Sequence, residues 1–165
     1  MPIRHVIPAA GGLALSCAAV FVLAPSPAAA EELLYKLDTT CSLNGGEAQS
    51  CSVEAVDDGT ATLYRHRIGS RTETIRISDT PTRMARWIES SKQWSPLTSA
   101  GARFSTNTIC FNDRDLCVVN PNYLNSVQEE SPVAMADRDL VRVHFGSDGR
   151  VDITCYDDGC EAIQR

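Results

Sequence analysis

The chain has 165 residues, with 15 Lys+Arg against 21 Asp+Glu, 43% apolar and 22% charged residues, and seven cysteines. That length fits one domain with a small appendage, and the balance of apolar and charged residues excludes wholesale disorder. A net charge of −6 excludes nucleic acid as the main partner, because a polyanion calls for a cationic surface.

Residues 1–30 read as an export signal. Arg4 and His5 start it, an apolar stretch runs from Ala9 to Ala24, and Pro25-Ser26-Pro27 ends that stretch. Ala28-Ala29-Ala30 then fits the small-x-small rule for cleavage before Glu31. An uncleaved anchor is the rival reading, but the apolar stretch falls short of the roughly 20 residues a spanning helix needs. Cys17 brings lipidation to mind, yet Ala14-Leu15-Ser16 precedes it without a leading leucine, and the apolar run continues beyond it. The expectation is a processed chain of residues 31–165, one disulfide-stabilised β-rich domain with no membrane span.

Alternation dominates this segment. Leu33, Tyr35, Leu37, Thr39 and Cys41 lie two apart on one face of a strand, and residues 33–43 and 49–56 form a hairpin about Asn44-Gly45-Gly46. A second hairpin joins 61–68 to 72–78 through Gly69-Ser70, with Ile75 and Ile77 on one face. Residues 82–88 admit a helix capped at Thr80-Pro81-Thr82 or a strand; short β neighbours on both sides favour the strand. Residues 102–111 and 116–120 form a third hairpin. Asn120-Pro121 starts a short helix through Tyr123, Leu124 and Val127, near 121–130, and 129–132 is a loop. In the last hairpin, Val141, Val143 and Phe145 line one face, and Val151, Ile153 and Cys155 return along the same face. Asp-Arg-Asp occurs at two strand entrances, 113–115 and 137–139. The predicted fold is mainly β, an antiparallel small barrel or sandwich of about 8–10 strands with three disulfides.

The six cysteines after the signal are Cys41, Cys51, Cys110, Cys117, Cys155 and Cys160. An even count in an exported chain implies disulfides, and no Cys-x-x-Cys pair points to a zinc ribbon or a redox site. If Asp113-Arg114 is a hairpin tip, Cys110 faces Cys117, within reach of a bridge. Cys155 and Cys160 flank Tyr156-Asp157-Asp158-Gly159, and Cys41 and Cys51 flank the Asn-Gly-Gly turn. Three local bridges follow: 41–51, 110–117 and 155–160.

Nucleophile motifs and phosphate-cradling loops are missing. His66 and His144 are the histidines available for a triad or proton shuttle, but each sits in an alternating strand with its side chain on the more polar face. The aspartate pairs occupy turns and lack the spacing of a calcium loop. No catalytic residue, metal or cofactor is expected. Charge is unevenly spread: residues 60–92 hold seven basic and three acidic side chains. Arg65 and Arg67 share a strand face and, with Arg76, make a strip that suits an anionic glycan or an acidic envelope protein. The plainer reading is a solvated face neutralised by the chain's own carboxylates.

The segments Leu34-Tyr35-Lys36-Leu37-Asp38-Thr39-Thr40-Cys41, Ala102–Asn112 and Leu116–Asn125 give the chain its main likeness. From about Leu34 to Val127 it resembles small exported proteins of marine cyanobacteria. That resemblance implies a periplasmic, lumenal or extracellular home and supplies no activity and no site. A second, local likeness lies in Thr98-Ser99-Ala100-Gly101-Ala102-Arg103-Phe104, which is similar to the Ser-Ala-Ser-Gly-Ala-Arg-Tyr stretch of bacterial inhibitors of c-type lysozyme. Those are small exported barrels that plug the lysozyme cleft with loops. The likeness makes Ser99, with Arg103, part of an inhibitor loop, and places Arg114 where that family carries a lysine. The functional expectation is a non-enzymatic binding or envelope-associated module. Lysozyme inhibition stands second, and a small hydrolase using His66 or His144 stands third.

Overall fold

The computed structural model describes residues 31–164; the expected signal over 1–30, including Cys17, lies outside the described residues. Among the described residues eleven antiparallel strands form one sheet: β1 (Glu32–Leu43), β2 (Gln49–Asp57), β3 (Thr62–Ile68), β4 (Arg71–Asp79), β5 (Thr82–Ile88), β6 (Gln93–Pro96), β7 (Ser99–Arg103), β8 (Thr108–Phe111), β9 (Leu116–Val119), β10 (Leu140–Phe145) and β11 (Val151–Tyr156). Helix α1 (Pro121–Glu130) and the single turn α2 (Pro132–Met135) separate β9 from β10. The strand order is β11-β10-β7-β8-β9-β1-β2-β3-β4-β5-β6.

β6 ends that order while β7 lies near its other end, yet only Leu97 and Thr98 separate them in the chain. The sheet therefore curls into a half-barrel, and residues 93–103 draw its flanks together. The Leu97 N–H donates to the Met84 carbonyl at 3.0 Å, the Phe145 N–H donates to the Thr98 carbonyl at 2.9 Å, and Arg83 bridges Arg150.

The curl gives the sheet an inner face, which holds one apolar cluster from Val53, Ala55, Ile75 and Ile77 round to Phe111, Val118 and Phe145. Burial on this scale, about 25 cal/mol per Å² of apolar surface, is the main term that closes the half-barrel. Helix α1 starts as the sequence indicates. The Asn120 side chain accepts the Tyr123 N–H at 3.1 Å, Pro121 occupies the first turn, and Leu124 is driven into the core. Asn120 is itself buried and donates to the Tyr35 hydroxyl at 3.0 Å, which ties the helix to β1.

All three expected disulfides are present: Cys41–Cys51, Cys110–Cys117 and Cys155–Cys160. Cys110 stands directly opposite Cys117, as the hairpin-tip argument requires. Thr80-Pro81 forms the turn that pairs Asp79 with Thr82, so residues 82–88 are strand.

Five local expectations are corrected, the first being the 129–132 loop: Glu129 and Glu130 belong to α1 and Pro132 opens α2, so only Ser131 lies between the helices. A bulge between Leu33 and Tyr35 breaks the alternation of β1 and leaves Leu33 exposed. Residues 102–111 are not one strand: a 3₁₀ turn at Phe104–Thr106, closed by Asn107 at φ 51°, splits them into β7 and β8. In the last hairpin a bulge at His144/Phe145 shifts the register, so Ile153 and Cys155 lie across from His144 and Arg142 rather than beside Val141 and Val143. A one-residue slip exchanges the faces of every residue beyond it. Finally, His66 is not on a polar face. Tyr64 and Ile68 point inward and carry His66 with them into the core, 1% exposed.

Among the described residues, no helix is long and apolar enough to cross a membrane. Three disulfides fit an oxidising compartment.

Candidate functional site: an arginine-lined cleft on the outer face

The outer face of β7, β8 and β10 carries a cleft of about 270 Å³. Register explains its floor. Gly101 lies between Cys110 on β8 and Arg142 on β10, so a residue without a side chain sits at the centre of three strands. A Cβ at Gly101 would come within 3.7 Å of Arg142 Nε; the guanidinium arm lies across the glycine. Ser99, Arg103, Thr108 and Leu140 share this outer parity and complete the walls.

The far rim is the 112–115 loop, held from two sides. Asn112 and Asp113 adopt left-handed φ values of 46° and 61°, a conformation Asn and Asp tolerate best among side-chain-bearing residues. Asn112 Oδ1 accepts the Thr98 N–H at 2.9 Å, the Asn112 N–H donates to the Ser99 carbonyl at 2.9 Å, and the Asp113 N–H donates to Ser99 Oγ at 3.1 Å. Across the β1–β2 turn, the N–H groups of Asn44 and Gly45 donate to the Asp115 and Arg114 carbonyls at 3.0 and 2.9 Å. Gly45 has φ +68°, and a Cβ there would sit 3.4 Å from the Arg114 guanidinium, so Arg114 is laid over it and steered toward the cleft.

The cleft thus brings together Ser99, Arg103 and Arg114, which the sequence singled out, with Arg142, which it did not. The signal available for Arg142 was Gly101, an isolated glycine in a strand pattern, which marks a close approach. Ser99 is 5% exposed and its hydroxyl is engaged by Asp113. Arg103 binds Asp139 at 2.7 Å. The Asp139 carboxyl is held below the usual carboxylate range by hydrogen bonds from Ser105 and by Arg103. Arg114 and Arg142 have no carboxylate within 4.0 Å among the described residues.

The Arg65/Arg67/Arg76 strip lies outward on β3 and β4, apart from the cleft. Each member has a partner: Arg65 with Glu31 at 2.7 Å, Arg67 with Glu54 at 3.0 Å, and Arg76 with Asp58 at 3.6 Å and with the Thr60 hydroxyl at 2.8 Å.

The histidines do not meet. His66 packs edge-on to Phe111 and bonds the Glu73 carbonyl through Nδ1 at 3.1 Å, so that nitrogen carries the proton. Burial lowers its pKa to about 4, only partly offset by its backbone hydrogen bonds, so it is neutral and enclosed. His144 is opposite Ser99, next to the cleft, and its Nε2 is buried without a partner. No cluster of three His, Cys, Asp or Glu suited to a metal occurs among the described residues. Compared with protein-family models, curated proteins and solved structures, the chain matches none of them.

Proposed function

We propose that the protein is an exported, non-enzymatic binding module of a periplasmic, lumenal or extracellular space, and that its outer cleft holds an anionic ligand. The observation that supports this is the difference between its arginines. Those of the strip are each neutralised by a carboxylate of the same chain, whereas Arg114 and Arg142 flank a glycine-floored cleft, lined also by Asp113, with no carboxylate within 4.0 Å of either among the described residues. A guanidinium presents a planar fork suited to carboxylate or sulfate oxygens, and a backbone-lined floor lets the ligand approach closely. The ligand class is a carboxylated or sulfated glycan of the envelope. Titration calorimetry with a soluble polyuronate oligosaccharide tests it. Saturable binding that weakens about tenfold, roughly 1.4 kcal/mol, in the Arg114→Ala, Arg142→Ala double variant is the expected result; equal affinity in both proteins overturns the reading.

A second reading is inhibition of a c-type lysozyme. It is favoured by the placement of Arg114 on a rigid loop stapled to Ser99, where a loop arginine can meet an acidic enzyme cleft. Ser99 would then act by shaping the loop. An inhibition assay at micromolar protein separates the two: inhibition lost in Arg114→Ala supports the second reading, and absence of inhibition removes it.

A further inference from the structure

The inner side of the half-barrel is not filled. Between the inner face of β7, β8 and β10 and helix α1 lies a cavity of about 440 Å³, and on the other side of Tyr123 a second lobe of about 430 Å³ reaches Tyr35 and Tyr64. Volumes of roughly 300–1,000 Å³ with apolar walls and a few polar groups are typical of small-molecule sites. The two lobes share Ile77, Asp79, Tyr123, Val127 and Glu130. They therefore meet at a waist with two carboxylates beside a tyrosine.

The electrostatics of this waist have one sign. No Lys, Arg or His lines either lobe among the described residues. Asp79 and Glu130 have no cationic partner within 4.0 Å among those residues. Glu130 is the last residue of α1, where the helix dipole adds partial negative charge. Burial and then the negative fields of Asp79 and Glu130 hold the Tyr123 hydroxyl well above its ordinary pKa. Tyr64 and Tyr123 stand edge-to-face with ring centroids 5.4 Å apart, and Tyr35 packs against Tyr64 at 6.5 Å. Tyrosine faces and flanking carboxylates are the surroundings in which a weakly hydrated organic cation is favoured over water.

We infer that this inner cavity binds a cationic amphiphile, an ammonium or quaternary ammonium head at the Asp79–Glu130–Tyr123 waist with its apolar body against Met84, Ile109 and Val143. The site is independent of the outer cleft, faces the opposite side of the same strands and takes a ligand of opposite charge.

Calorimetry with three probes of equal chain length, octyltrimethylammonium, octyl sulfate and octanol, each below its aggregation concentration, tests the inference. Octyltrimethylammonium is expected to bind saturably at one site, at least fivefold more tightly than the other two. The Asp79→Asn, Glu130→Gln double variant, altered only at exposed side chains, is expected to bring the cation down to the affinity of octanol. Val127→Trp, which fills the waist, is expected to abolish binding of all three with folding retained by circular dichroism. Arg114→Ala with Arg142→Ala is expected to leave the cation's affinity unchanged. Absence of saturable cation binding, sulfate binding as tight as the cation's, or an undiminished cation preference in the double variant would each overturn the inference.

Discussion

The two flanks of the curled sheet differ in how completely they are satisfied. Strands β1–β5 are 7–12 residues long, bury Val53, Ala55 and Ile75 completely, and pair Arg65, Arg67, Arg71, Arg76 and Arg86, though not Arg83, with the chain's own carboxylates. Strands β7–β11 are 4–6 residues long, expose Val151 and Ile153, leave a cavity beneath and, with the 112–115 loop, hold above them Arg114 and Arg142, which have no carboxylate within 4.0 Å among the described residues. Even the repeated Asp-Arg-Asp makes the contrast. Asp113 and Asp137 share the same left-handed backbone at a strand entrance, yet Arg138 is consumed by Asp157 and the Tyr156 ring while Arg114 is left over. The lesson is that one flank is scaffold and the other carries the incompletely satisfied chemistry from which binding sites are drawn.

Four changes sharpen or break this contrast. Ile75→Ala, at the centre of the scaffold flank, should cost about 3–4 kcal/mol in urea unfolding, since a fully buried side chain leaves a cavity that rigid strands cannot fill. A cost under about 1 kcal/mol would mean that this flank is no better packed than the other. His66 should make the same flank acid-sensitive. Its folded pKa, about 4, lies below the ordinary 6.5, so the unfolded chain takes up the proton first. Its contribution is complete above pH 6.5 and is lost as pH falls toward 4, on the order of 3 kcal/mol. His66→Gln, which keeps a donor for the Glu73 carbonyl, should flatten that slope in pH-dependent denaturation.

On the other flank, Gly101→Val should weaken polyuronate binding about fivefold, near 1 kcal/mol, by displacing Arg142, with the melting temperature held or raised. Normal binding there would dissociate the glycine from the cleft. Smallest of all, Ile153→Thr should shift stability by less than about 0.5 kcal/mol, because its side chain is 42% exposed.

Local chemistry was legible in the sequence. The Asn-Gly-Gly turn, the Asn120-Pro121 helix start and three short cysteine loops each specify their conformation within a few residues. Parity failed where an irregularity intervened: the β1 bulge turns Leu33 away from the face shared by Tyr35, Leu37, Thr39 and Cys41, the bulge between β10 and β11 turns Ile153 and Cys155 away from that of Val141 and Val143, and neither has a residue signature. His66 was misplaced for a related reason: a polar residue type outweighed the inward parity of Tyr64 and Ile68. The cleft was half legible. Ser99, Arg103 and Arg114 came from a local likeness, but Arg142 joins them only because β10 pairs with β7 across some forty residues of chain, a tertiary choice that alternation does not encode. The pairing of Arg65, Arg67 and Arg76 was equally hidden, because Glu31, Glu54 and Asp58 are brought to them by the sheet.

The central claim, that cationic surface matters here only where the chain has not neutralised it, is tested most directly on a sulfated-polysaccharide matrix. Three proteins are eluted by increasing salt: the parent, Arg65→Ala with Arg67→Ala, and Arg114→Ala with Arg142→Ala. Both variants lose two positive charges, so nonspecific attraction shifts them alike. The account predicts that the Arg114/Arg142 variant elutes at markedly lower salt while the Arg65/Arg67 variant elutes close to the parent. Equal shifts in the two variants, or a larger one for Arg65/Arg67, would contradict it.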